Sequence, residues 1–154
     1  MKKTLSDAAN RSEVLARLKN VRSDSARKWG RMSPQQMLRH LNGSFRGVMS
    51  GTPLGLVKVP LPRPMMRWLA LDLPMKWPHG TQTRPENDQV LKAAPPAAEF
   101  SADVSELETL VARFTRSPRD FQWHAHPFFG EMSDADWMRW GYLHMDHHFR
   151  QFGV

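Results

Sequence analysis

Two histidines near the end of the chain, His144 and His148, have the spacing that most readily makes chemistry. They stand in the run Trp137 to Phe152, in which Gly141 is the only helix breaker. Residues four apart on a helix share a face, with Cβ atoms about 5–6 Å apart. Two imidazoles so placed form a clamp for a divalent cation and need only one or two further ligands. The chain has no cysteine, so disulfides, thiolate sites and cysteine nucleophiles are excluded. Any metal must then be held by histidine or carboxylate.

A third imidazole is available from His40, which falls near the middle of a second predicted helix. On that helix Gly43, Ser44 and Gly47 share a side with His40. Glycine is unfavourable inside a helix, so this pair points either to open space beside His40 or to close packing of a neighbouring helix. A His40, His144 and His148 set would leave coordination positions open for water or substrate. The alternative is that the three histidines hydrogen-bond to one another and to the backbone. His147 is expected on the flank of the last helix, and His126 as a pocket wall or extra ligand. His79 reads as surface loop. The Glu that follows the first His of a His-Glu-x-x-His zinc helix is replaced here by Met145. No Gly-rich phosphate loop and no Gly-x-Ser-x-Gly elbow is present.

Four long helices are predicted to position these groups. The first spans Ser12 to Val21, with Ser12 as a cap and an alternative start near Ser6. The second opens on Ser33-Pro34-Gln35-Gln36, a capping box with proline at the first helical position, and runs to about Met49. The third covers Ser101 to Arg116. The fourth starts at Ser133, with Asp134 and Asp136 against the positive end of its dipole. Residues 51–100 hold nine of the twelve prolines. They read as a long crossover with a short helix around Met65 to Leu71. With no convincing strand, the fold class is all-α, a four-helix bundle in a single domain over residues 1–154.

On a helical wheel the last helix carries Trp137, Trp140, Gly141, His144, His148 and Gln151 on one face. A second stripe holds Met138, Tyr142, Met145 and Phe149. The polar arc is narrow, so the helix must be buried on more than one side. The second stripe is expected to meet either the crossover around Trp68 or a symmetry mate.

Composition narrows the function classes. The formal charge is +7, but the basic residues are dispersed, and no nucleic-acid partner is expected from charge alone. No apolar run approaches membrane-spanning length. The N-terminal Met1-Lys2-Lys3 lacks an apolar segment behind it. These features lead to the expectation of a cytoplasmic protein without a membrane partner.

The block Trp29-Gly30-Arg31-Met32-Ser33-Pro34-Gln35-Gln36-Met37-Leu38-Arg39-His40-Leu41 resembles the second-helix signature of DinB/YfiT-like proteins. The ending is similar to that of an uncharacterised branch of them. It comprises the loop His126-Pro127-Phe128-Phe129-Gly130, then Asp136-Trp137 and His144-Met145-Asp146-His147-His148-Phe149-Arg150-Gln151-Phe152-Gly153. The resemblance implies an up-down-down-up bundle, often a homodimer. It also implies a divalent metal, zinc or nickel, on His40, His144 and His148. By the same analogy the protein would be a transferase using a low-molecular-weight thiol, or a hydrolase, acting on a small-molecule substrate. The rival reading is a non-catalytic, metal-stabilised bundle that binds a small molecule or a protein. In either case Gly43, Ser44, Gly47, His126, His147, Trp137 and Trp140 are the candidates for the pocket and for the groups behind the ligands.

Overall fold

The computed structural model describes residues 2–80, 85–92 and 96–154. Among these the chain is all-helical, with five α-helices and no strand. They are α1 (Ala8–Leu18), α2 (Pro34–Val48), α3 (Arg63–Leu71), α4 (Phe100–Phe114) and α5 (Asp134–Gln151). Short 3-10 turns at Pro85–Asn87, Gln89–Leu91 and Ala97–Glu99 punctuate the approach to α4.

The helix starts follow local chemistry. In α2 the Ser33 hydroxyl accepts the Gln36 N–H at 3.2 Å, and the Gln36 side chain accepts the Ser33 N–H at 2.8 Å. Two of the helix's unpaired donors are thereby satisfied. Ser133 and Asp136 repeat the arrangement at the start of α5. At α1 the cap is Asp7, which accepts the Asn10 N–H at 2.8 Å. Ser12 lies inside that helix, so the expected Ser12 cap is replaced by the stronger acceptor upstream. The short helix of the crossover is present as α3, two residues longer at its start than expected.

Helix α2 packs against α4 and α5, while α1 and α3 pack against α5. Helix α5 therefore lies at the centre. Its second stripe, Met138, Tyr142, Met145 and Phe149, is wholly buried. Much of the cover comes from a source that was not expected, the N-terminal segment and α1, beside the α3 contact on α5. Leu5 donates its N–H to the Met138 carbonyl at 3.0 Å. The Tyr142 hydroxyl donates to Glu13 at 3.1 Å, and the Arg17 guanidinium lies over the Phe149 ring. The N-terminal segment and α1 thus close this side within one chain. Trp68 stays 52% exposed. No helix among the described residues is long and apolar enough to cross a membrane.

Candidate metal centre

His40, His144 and His148 come together between α2 and α5. Each offers one ring nitrogen, and these nitrogens lie within 4.8 Å of one another. The Nε2 atoms of His40 and His144 are 3.1 Å apart. Two ligands on one tetrahedral zinc would stand about 3.4 Å apart, given bonds of about 2.1 Å. The group could therefore hold one metal ion with small side-chain adjustments.

The same first cause disfavours the charged form of all three imidazoles. Burial pushes His40 below the usual histidine range, and pushes His144 and His148 well below it. The other histidines of the cluster add repulsion to a second charge at His144 and His148. A neutral imidazole is the form that ligates a metal.

The outer nitrogens assign the tautomers. His40 donates Nδ1–H to the Asn87 carbonyl at 3.3 Å, which leaves its Nε2 lone pair facing His144. His148 donates Nδ1–H to Gln151 Oε1 at 3.2 Å, and its Nε2 is likewise left as a lone pair. His144 differs, because its Nδ1 is buried with no hydrogen-bond partner. Its Nε2–H therefore donates to His40 Nε2. Two imidazoles held by outer acceptors and a third aimed at one of them make a donor set that fits a divalent cation.

The supports come from segments remote in sequence. Asn87 uses its backbone carbonyl for His40 Nδ1, while its side-chain Nδ2 donates to the His40 carbonyl at 3.2 Å and to Ser44 Oγ at 2.8 Å. That side chain occupies the space that a Cβ on Gly43 would need, 2.3 Å from Asn87 Oδ1. Gly43 is thus a seat for the Asn87 clamp. At the other end, Gly30 turns with φ 87° directly against Gln151, whose Nε2 would lie 2.0 Å from a Gly30 Cβ. Lys28 N–H donates to the Gln151 carbonyl at 2.7 Å. The Trp29-Gly30 pair therefore shapes the pocket of Gln151, which in turn orients His148.

Beside the trio lies a cavity of about 980 Å³. Gly43, Ser44, Gly47, His126, His147 and Trp140 line it together with the three histidines, and α3 contributes Met66, Leu69 and Ala70. The wall is mostly apolar, the usual form of a small-molecule site. Trp137 is not part of the wall: it is buried behind it, stacked on Trp123 at 4.8 Å and in contact range of His126 and Trp140. His126 lines the cavity but lies outside the ligating group. Its Nδ1 accepts the N–H groups of Phe128 and Phe129 at 3.2 and 3.3 Å, and its backbone bridges to Gly130. His147 sits at the edge of the trio, against the Trp29 ring at 4.8 Å and near Trp77. Burial and the neighbouring Arg150 bring its pKa down to about 4. His79 is exposed and stacks on Trp29 at 3.9 Å.

The acids on the cavity wall are paired. Arg39 bonds Asp103 at 3.0 Å and also bonds Glu99, while Arg46 meets Glu106 at 3.2 Å. Asn87, Gln151, Trp29 and Trp77 received no role from sequence reasoning. Gln151 shares the histidine face of the wheel, three residues after His148, and that was its available signal.

The chain belongs to the family described as protein of unknown function (DUF1569), whose model matches residues 2–153. No curated protein and no solved structure matches the chain.

Proposed function

We propose that the protein is a metal-dependent enzyme of the DinB/YfiT-like type, with one zinc or nickel ion on His40, His144 and His148. In this reading α1, α2, α4 and α5 are the four helices of an up-down-down-up bundle, and α3 lies within its crossover. The observation that carries the proposal is the convergence of three neutral imidazoles at the wall of a large, mostly apolar cavity. A divalent cation there would lower the pKa of a coordinated water or thiol and so supply a nucleophile. The chain's own part is to hold His40 and His148 in their ligating tautomers through Asn87 and Gln151, and to present an apolar wall to the substrate. Such a site suits a transferase that uses a low-molecular-weight thiol, which a chain without cysteine cannot provide from itself. It also suits a hydrolase.

One observation favours a rival. Glu99, Asp103 and Glu106 are each engaged by arginine, so the wall offers no unpaired carboxylate among the described residues to act as general base. A metal-stabilised bundle that binds a small molecule without turnover would have this property.

The test has two stages. Elemental analysis of purified protein should give stoichiometric metal, lost in His148→Ala and in His40→Ala; full retention in both variants rejects the site. The loaded protein is then assayed with electrophiles and a panel of small thiols, and with simple esters and amides in water. Turnover that Gly47→Leu blocks while metal is kept supports the enzyme. Absence of turnover across the panel, with metal bound, moves the assignment to the binding protein.

A further inference from the structure

One segment breaks the pattern of burial. The large hydrophobic side chains exposed among the described residues are Leu56, Leu61, Met65, Trp68 and Met75, all within twenty residues of the crossover. Met65 and Trp68 stand one turn apart on α3, so they share an outward face. Leu61 is exposed just ahead of the helix, before the Pro62 cap. The neighbouring face of the same helix, with Met66, Leu69 and Ala70, lines the cavity. Helix α3 is therefore apolar on both sides and covered on one.

The charge around this patch is mostly positive. Residues 54–80 contain Lys58, Arg63, Arg67 and Lys76 and a single acid, Asp72, which is paired with Lys2, while Arg67 meets Asp136 at 4.0 Å. Next to the patch is a second hollow, which shares Met75, Lys76 and Trp77 with the cavity wall. Lys2, Lys3, Lys76, Arg139 and Arg150 line it. Asp72 is engaged by Lys2 and Asp146 by Arg17 and Arg150, and Lys3 pairs with Glu13, which leaves Lys76 and Arg139 as the basic groups of the hollow without a salt bridge among the described residues. Arg139 donates to the carbonyls of Leu71 and Lys3, at 3.1 and 2.7 Å, and has no carboxylate partner among the described residues. An apolar ridge thus continues through Met75 into a basic hollow.

We propose that the crossover is a peripheral docking surface for an anionic membrane, with Met65, Trp68 and their neighbours entering the headgroup–acyl boundary and the basic hollow holding lipid phosphates. Short amphipathic helices with tryptophan and basic flanks bind such interfaces through buried apolar area plus attraction to anionic lipid. A second copy of this chain would bring like charge against the hollow, which disfavours it as the occupant. The proposal concerns a surface and not a membrane span. It does not rest on the metal reading.

Co-sedimentation tests it, with vesicles of phosphatidylcholine alone and of phosphatidylcholine mixed with phosphatidylglycerol. The protein should be retained by the mixed vesicles and weakly or not at all by the neutral ones, with retention falling as salt is raised. Met65→Ser combined with Trp68→Ser should weaken binding about tenfold or more. Lys58→Ala and Lys76→Ala should each weaken it about fivefold. All these side chains are exposed, so the variants should keep wild-type unfolding curves. His148→Ala should bind vesicles as the wild type does, so vesicle binding and metal content fail separately. Equal retention on both vesicle types, no retention on either, or a stable dimer that shields Trp68 from solvent would overturn the proposal.

Discussion

Helices α5 and α3 make an instructive pair. Both are apolar over most of their circumference, yet α5 is buried on two faces and α3 on one. The difference lies in their neighbours. Helix α5 has the N-terminal segment and α1 on one side and α2 on the other, tied by Arg17 to Asp146 at 2.8 Å. Helix α3 follows a proline-rich stretch that supplies no second layer, so Met65 and Trp68 face outward. Apolar content alone therefore does not say whether a helix belongs to the core. What decides is whether the chain returns to cover it.

The largest effect expected from this contrast is at the aromatic side chains. Phe149→Ala should cost about 3–5 kcal/mol, because a fully buried ring would leave a cavity between α5 and α1. Trp68→Ala should stay within about 0.5 kcal/mol of wild type. Chemical denaturation of both variants checks this, and a comparable loss in the two would erase the distinction between the helices.

Acid should act on α2 and α5 next. The buried histidines there have pKa values below the ordinary 6.5, His147 down to about 4. As pH falls below 6.5 the unfolded chain takes up protons that the folded chain refuses, so stability rises with pH across this window. Stability should be full above that value and be lost progressively toward pH 4, with His147 alone contributing at most roughly 3 kcal/mol. His147→Leu should flatten the profile. An unchanged midpoint between neutral and acidic solution would show that these imidazoles titrate normally in the folded protein.

A smaller effect sharpens the link between α2 and the approach to α4. Alanine is the better helix former, yet Gly43→Ala should destabilise by about 1–3 kcal/mol because Asn87 fills the space. Adding Asn87→Ala should recover part of that loss, a coupling visible in a double-mutant cycle. Strict additivity would mean that the clamp moves aside without cost.

The parts legible in the sequence were those governed by local rules. The α2 start follows from Ser33, Pro34 and Gln36, and the juxtaposition of His144 with His148 follows from helical spacing. His40 joined them because α2 packs directly on α5. The parts that were not legible depend on contacts between distant segments. The sequence left the α1 start open between Ser12 and the neighbourhood of Ser6, and the structure takes the early start, with Asp7 as the cap and Leu5 hydrogen-bonded to the Met138 carbonyl. Asn87 lies in a 3-10 turn, and nothing local to Pro85-Glu86-Asn87-Asp88 points at His40. The second stripe of α5 was readable as buried, but its cover by α1 required knowing how the N-terminal segment returns. Trp137 fell on the histidine face of the wheel, yet Trp123 stacks over it and takes it out of the cavity.

The unequal outer partners of the three histidines have a consequence for calorimetry. His40 and His148 already present Nε2 lone pairs, so a cation joining the trio asks nothing of their protons. His144 must shift its proton from Nε2 to Nδ1, a move within one ring that releases nothing to solvent. The three histidines should therefore add no buffer-dependent heat to metal uptake near neutral pH, and any dependence on buffer ionisation enthalpy would report the proton lost by a coordinated water. The protein ligands likewise impose no pH dependence on affinity above the range where free histidine titrates, so a rise there would belong to the coordinated water or thiol.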